Sequence, residues 1–310
     1  MNSTIILDLL TVSDYFNMFV TAQTAKGVSD ATLRTYHNHF AAVSKHLDVN
    51  KPMSQLKTED LQCMIASMRA CGLAHNSISS YARVAKTFIT WANKNGFTEA
   101  QASSYKQIET VKDTYTDSEL LALLKHPKKG CKFTEYRTWV IIQFLINCGC
   151  RSSTLRNIQN QDVDSERHQV IFRHTKTGKL QLIPICSDLS VVLHEYMRIR
   201  GGAPSDYLFC NEYGDQLTKD ALYQSISSYN KSRGVNKTSV HAFRHTFAKK
   251  YLVDCGGNAF TLQRLLGHST LDMTRHYCRI YDADICDNFD DSCPLTSLKR
   301  KSSRSKIKMK

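Results

Sequence analysis

HAFRHTFAKKYLVDCGGNAFTLQRLLGHSTLDMTRHY, residues 241–277, reads as successive helices with a break at Gly267. His241 and Arg244 lie three apart, so one helical face carries both. His268 follows the glycine turn, and Tyr277 stands nine residues later on the next helix. A basic soluble chain has no general reason to space two histidines, an arginine and a tyrosine in this way. The rest of the sequence supplies a context for them.

Working back from this stretch, residues 218–232 and 187–200 have helical spacing. Residues 168–173 (HQVIFR) and 180–185 (LQLIPI) read as strands joined by HTKTGK, a loop with a glycine. Lys176 sits in that loop. YLFC at 207–210 is predicted as a third strand. A long apolar helix over about 134–147 ends at Gly149, and Arg151 opens the next helix, RSSTLRNI. Thr116 and Glu119 form the T-x-x-E capping box of the helix before it.

The first hundred residues show helical patterns only. Helices are predicted over 8–22, from Ser29 or Asp30 to about Leu47, from Thr58, and across Ile78–Ala92 with Asn76 as start and Gly96 as end. Between their apolar stripes lie Lys26, Arg34, Lys45, Lys57, Arg69, Arg83, Lys86 and Lys94. Periodicity lapses over 97–114. The expected organisation is a helical domain at 1–98, a linker at 99–114, a second domain at 115–285, and a C-terminal segment with a basic tail at 286–310. The fold class is mainly α with a small antiparallel β-sheet.

Composition narrows the function classes. The chain has 310 residues, 42% hydrophobic and 22% charged, which is globular. No apolar run approaches the roughly 20 residues that cross a bilayer, and no signal peptide is read, so the expected compartment is the cytosol. The net charge is +13. Lys299, Arg300, Lys301, Arg304, Lys306, Lys308 and Lys310 in the tail contribute seven of these, which still leaves a basic body. That bias points to a polyanion, nucleic acid above all. The 11 cysteines, odd in number, read as free thiols. CGC at 148–150 lacks the gap of a metal or redox pair.

These motifs together resemble the tyrosine recombinases, also called phage integrases. HAFR at 241–244, LLGH at 265–268 and Tyr277 have the family's order and intervals. NCGCRSSTL at 147–155 is similar to its first-arginine segment, and TKTGK at 175–179 to its lysine hairpin. Residues 1–98 are similar to the SAM-like core-binding bundle. The resemblance implies DNA cleavage and rejoining through a 3′-phosphotyrosyl link, with Tyr277 as nucleophile. It implies Arg151 and Arg244 as phosphate forks, His241 and His268 as further hydrogen-bond partners of the phosphate, and Lys176 as general acid. His241 would also accept the tyrosine proton. No metal and no cofactor is required.

The implied partners are double-stranded DNA with inverted core sites and a homo-tetramer of this chain, with room for an accessory DNA-bending or directionality factor, and no membrane. The implied setting is cytoplasmic and nucleoid-associated. Integration or excision of a mobile element by Holliday-junction strand exchange is the first expectation. The chain opens almost at once on the core-binding bundle, so no arm-binding domain is expected. A chromosome or plasmid dimer resolvase, a type IB topoisomerase, a decayed DNA-binding protein and a zinc protein are the alternatives. Where the family has an acid three residues after the first arginine, this chain has Thr154.

Singly, each residue has an ordinary structural reading. Tyr277 shares a face with Met273 and Ile280, and Tyr281 is a rival one turn on. Lys179 competes with Lys176. His245 lies four after His241, but Ala242 stands where a metalloprotease has Glu. His276 reads as exposed, and Arg156 and Arg173 read as surface residues. The joint recurrence of four intervals outweighs these separate readings.

Overall fold

The computed structural model describes residues 9–108, 113–175 and 178–268, with Thr270 and Thr274. The chain divides into two compact units, residues 1–110 and 111–310. Among the described residues no helix is long and apolar enough to cross a membrane.

The first unit is built from α1 (Val12–Ala25), α2 (Asp30–Val43), α3 (Thr58–Ala70) and α4 (His75–Lys94). α1 begins in a capping box: Asp14 N donates to Thr11 Oγ1, and Thr11 N donates to the Asp14 carboxylate. On α4, Ile78, Ala82, Ala85, Phe88, Ile89 and Ala92 are buried at helical intervals. Phe16 of α1 stacks on Phe40 of α2 with ring centroids 3.7 Å apart and meets Phe88 edge-on at 5.5 Å. The eight bases singled out from the sequence are all exposed.

Asn76 does not cap α4, which starts one residue earlier after Ala74. Its side chain instead accepts from Ile108 N. The polar stretch after Gly96 runs back along this helix. Asn93 donates to Ala100 O, Ser79 donates to Tyr105 O, and His75 Nε2 donates to Lys106 O. Its backbone groups find partners in side chains, so it is ordered without a periodic pattern.

Near the start of the second unit, Tyr115 N–H donates to Thr246 Oγ1 and the Tyr115 ring stacks on Phe243. α5 (Asp117–Leu124) starts in the expected Thr116–Glu119 box. α6 (Phe133–Cys148) is buried around almost its whole circumference and forms the core. After α7 (Ser152–Arg156) come β1 (Val163–Asp164), β2 (Gln169–Phe172) and β3 (Gln181–Pro184), antiparallel in the order β1-β2-β3. α8 (Ser187–Arg200), α9 (Lys219–Ser232) and α10 (Val240–Lys249) pack against α6. A π-helical turn, Lys250–Asp254, leads to α11 (Ala259–Leu266).

The hairpin is present as expected, but YLFC at 207–210 is not a strand. The third strand is Val163–Asp164 instead. The carbonyls of YLFC are taken by side chains: Tyr196 Oη donates to Leu208 O, and Arg137 donates to Cys210 O. Leu208 N donates to Ile158 O. The β-type pairing of this segment is limited to isolated antiparallel bridges of Tyr207 with Gln159 and of Cys210 with Gln216.

Arg156 and Arg173 are also more than surface residues. Arg156 Nε donates to Leu217 O. Arg173, at the end of β2, pairs with Asp162 at 2.6 Å, and that carboxylate is 1% exposed. Asp162 also accepts from Gln159 N. The pair therefore ties the base of the hairpin to the turn before β1. Arg173→Ala should cost about 1–3 kcal/mol, because it removes a hydrogen-bond donor from a buried carboxylate. The Arg173 side chain is itself 46% exposed, so the loss is smaller than for a fully buried pair. Adding Asp162→Asn should recover part of that loss. Urea unfolding midpoints of the single and double variants check this, and a double variant weaker than both singles would contradict it.

Candidate active site

Four of the six residues singled out from the sequence lie among the described residues: Arg151, His241, Arg244 and His268. Lys176 and Tyr277 lie outside them.

Arg244 is at the centre. Its position on α10, with the core behind it, leaves the residue 6% exposed. A guanidinium so deeply placed needs acceptors, and two helix ends provide them. Nη1 donates to Gly149 O at 2.8 Å, just past α6. Nη2 donates to Leu266 O at 2.9 Å, the last residue of α11. Both helices end on a left-handed glycine, Gly149 at φ 56° and Gly267 at φ 61°. After α11, Gly267 N donates to Arg264 O and His268 N to Gln263 O, a Schellman pattern. The negative ends of two helix dipoles thus face one cation.

The glycine at 149 is required twice over. A Cβ there would sit 2.4 Å from Phe247 Cδ1, in addition to the left-handed backbone. At the other helix end, Gln181 of β3 donates through Nε2 to Leu265 O at 2.8 Å and to Arg264 O. The sheet is thereby fastened to the helix end that holds Arg244.

His268 receives the third bond. Arg244 Nη2 lies 2.9 Å from His268 Nε2. A guanidinium only donates, so Nε2 accepts and carries no proton. Nδ1 lies 2.9 Å from Thr274 Oγ1. Burial, then the charges of Arg244 and Arg151, lower the histidine's pKa from 6.5 to about 4. The ring is neutral at pH 7 and serves Arg244 directly.

His241 sits one turn before Arg244 on α10. Desolvation, then the charges of Arg244, Lys219 and Arg151, lower its pKa. Arg151 is the N-cap of α7, half-buried, and its charge acts on both histidines. Arg151, His241, Arg244 and His268 therefore form one electrostatic cluster. Cys150, next to Arg151, is buried, and desolvation pushes its thiol up to about 12 against the pull of Arg244. It is a packed thiol, not a reactive one.

Sequence reasoning missed Gln181, Lys219 and Thr274. Only Thr274 left a signal, since it precedes Tyr277 by three residues, about one helical turn. A groove of about 730 Å³ between β3 and α11 is lined by Lys179, Leu182, Pro184, Arg264, Leu265 and His268. Lys179, the competitor of Lys176, thus shares a groove with His268. The loop closes on either side of residues 176 and 177, with Gly178 N donating to Thr175 O and Thr175 Oγ1 to Lys179 O. A cluster of two arginines with neutral histidines can bind and polarise an oxyanion.

The family description "Phage integrase family" matches residues 113–284, and "Phage integrase, N-terminal SAM-like domain" matches residues 19–96. The tyrosine recombinase XerA of Saccharolobus solfataricus is 26% identical over 288 residues, covering 88% of this chain and 90% of that protein. The tyrosine recombinase XerD of Pseudomonas putida is 30% identical over 174 residues, 54% of this chain and 57% of that one. Among solved structures, the integrase of transposon Tn1549 in complex with a circular intermediate DNA superposes with a TM-score of 0.71 at 22% identity, covering 86% of this chain and 95% of that chain. A lambda integrase tetramer bound to a Holliday junction gives 0.71 at 16% identity, with 89% and 80% covered.

The lowered pKa of His268 has a stability consequence. As pH falls below 6.5 the unfolded chain takes up its proton first, while the folded ring resists until about 4. Stability present above pH 6.5 should therefore be lost progressively toward pH 4. His268→Gln should flatten that slope. Urea midpoints at about pH 7, 5.5 and 4.5 for both proteins test this, and parallel slopes would refute it.

Proposed function

The chain belongs to the phage integrase family of tyrosine recombinases, DNA strand-cleaving and rejoining enzymes, and we propose that within it the protein integrates and excises a mobile element. It acts on double-stranded DNA carrying inverted core sites, as a homo-tetramer, by Holliday-junction strand exchange in the cytoplasm. The first unit, with its exposed bases, grips one side of the duplex and the second unit carries out the chemistry. A DNA-bending or directionality factor would set the direction.

The observation that carries the site reading is that Arg244 and His268 are hydrogen-bonded and that the charges of Arg151 and Arg244 act on both His241 and His268, from separate stretches of chain. Tyr277 is the nucleophile. Its oxygen bonds to phosphorus, the bond from phosphorus to the 5′-oxygen breaks, and a 3′-phosphotyrosyl link remains. The phenol, with a pKa near 10, gives its proton to His241, whose pKa is lowered by desolvation and then by the surrounding charges. Lys176 delivers a proton to the departing 5′-oxygen. Arg151 and Arg244 take the phosphate oxygens, on which negative charge grows in the transition state. His268 presets Arg244 before DNA arrives. The phosphate charge then raises the histidine's proton affinity, and the imidazolium donates to it. Religation is the same sequence reversed, and the bond energy is conserved throughout.

A second reading, a chromosome or plasmid dimer resolvase, is favoured by the Xer-type relatives that span most of the chain. The target DNA separates the two. Suicide duplexes from both flanks of the gene are incubated with the full chain, and any covalent adduct is mapped. Tyr277→Phe should abolish the adduct and bind DNA as before. Lys176→Ala should slow cleavage by roughly 100-fold or more, and Lys179→Ala much less. An adduct formed by Tyr277→Phe would assign the nucleophile elsewhere, and a larger loss from Lys179→Ala would exchange the lysine roles. No adduct on any flank, combined with resolution of plasmid dimers, would favour the second reading.

Residues 282–298 carry Asp282, Asp284, Asp287, Asp290 and Asp291, a poor match for DNA and a good one for a basic neighbouring protomer. Deleting 286–310 should leave single-site binding intact and weaken synapsis of two sites, read as loss of the paired complex in gel mobility. Equal synapsis by the truncated chain would remove that role.

A further inference from the structure

The recombinase reading assigns Thr274 no task, yet its side chain is fully buried and touches the site. Thr274 is 0% exposed, and its Oγ1 lies 2.9 Å from His268 Nδ1. On the far side of the same ring, Arg244 Nη2 lies 2.9 Å from Nε2. These two contacts leave one arrangement of hydrogens for a neutral ring. Arg244 has no lone pair to offer, so Nε2 must be the acceptor. The single ring proton is then on Nδ1, and it points at the threonine oxygen.

We propose that Thr274 is a positioning residue for DNA cleavage, fixing His268 as the Nδ1–H tautomer and so deciding that any second proton must enter at Nε2, the nitrogen that faces Arg244. This rests on the reading above, in which the scissile phosphate binds at Arg244. The consequence is chemical. In the protein without DNA, Nε2 is unprotonated and steers the guanidinium. When the phosphate arrives and takes over the Arg244 N–H that Nε2 had accepted, Nε2 is the ring nitrogen left with a free lone pair, and the proton enters there. The imidazolium then donates where the charge develops, while Nδ1–H keeps its bond to Thr274. Without the hydroxyl, the ring can rotate or place its proton on Nε2. It would then oppose Arg244 with an N–H instead of accepting from it.

The groups around the ring fit this role. Arg244 and Arg151 are the charges that act on His268. Gln263 Nε2 holds the backbone carbonyl of His268 at 3.4 Å, and His268 N donates to Gln263 O. The main chain at 268 is thus anchored to α11 independently of Thr274. Among the described residues, the hydrogen bond of the threonine side chain is to the ring.

The test has two parts. Full-length protein labelled with 15N-histidine gives long-range 1H–15N spectra without DNA, and His268→Gln identifies the signal of interest. The wild type should show a protonated Nδ1 and an unprotonated Nε2. Thr274→Val, which keeps the shape and removes the oxygen, should lose that signature, and Thr274→Ser should restore it. A wild-type ring protonated on Nε2 overturns the inference without any variant, as does an unchanged tautomer in Thr274→Val.

In the second part, adduct formation is followed on a suicide duplex selected by the full chain from a randomised pool. Thr274→Val should cleave roughly 10- to 100-fold more slowly with DNA binding unchanged, a range taken by analogy from hydrogen-bond partners that orient histidines at metal sites. Thr274→Ser should stay near wild type. A Thr274→Val protein that loses the tautomer and cleaves at full rate also overturns the positioning role. If the wild type itself forms no adduct, the recombinase reading fails, and the spectra alone still decide the tautomer.

Discussion

Two helices end against one guanidinium, and most of the second unit is arranged to permit it. Arg244 is buried with its nitrogens on Gly149 O and Leu266 O. Hydrogen bonds from a charged donor are worth about 1.5–3 kcal/mol each, and a cation at a helix C-terminus gains about 0.3–1 kcal/mol, more when partly buried. The desolvation of an arginine costs several kcal/mol in a real protein. Neither helix alone offsets that cost; the two together approach it. The left-handed glycines follow from the same constraint, because each helix must stop abruptly for its last carbonyls to face the arginine.

This coupling makes the site and the fold one structure. α6 is the core of the unit, and its end supplies the carbonyl for Arg244 and, two residues on, Arg151. α11 supplies the second carbonyl and, two residues on, His268. β3 holds the end of α11 through Gln181, and Asp162 holds the base of the hairpin through Arg173. A shift of any of these elements would move a cationic side chain. Placing such groups on rigid, cross-braced elements keeps donors fixed while charge develops on a bound oxyanion.

Much of this is legible in the sequence because it depends on local rules. Thr116 and Glu119 are three apart and close a capping box whatever surrounds them. Gly149 and Gly267 end apolar helices and take the left-handed conformation that such positions favour. His241 and Arg244 share a face by helical geometry alone. What is not legible depends on partners distant in sequence. YLFC has strand composition, but side chains of Tyr196 and Arg137 claim its carbonyls. Arg173 looks like any surface arginine until Asp162 is brought beneath it. Asn76 has the chemistry of a cap and instead holds the returning chain at Ile108. Gln181 bonds to a group 84 residues away, and nothing in composition or period announces it. Thr274 bonds to a group 6 residues away, and its one mark in the sequence is its place three residues before Tyr277.

The electrostatics of the pocket argue for a site that is charged asymmetrically until its substrate is bound. Two arginines keep their charge, whereas both histidines are pushed toward the neutral form, first by desolvation and then by those arginines. Four cations crowded together would repel and would weaken the folded state. Neutral histidines avoid that repulsion, and one of them instead accepts a hydrogen bond from an arginine. An oxyanion placed among them would reverse the balance, since its charge favours the imidazolium form. The same four side chains can thus hold two charge states, with the histidines neutral among the arginines or protonated beside an anion.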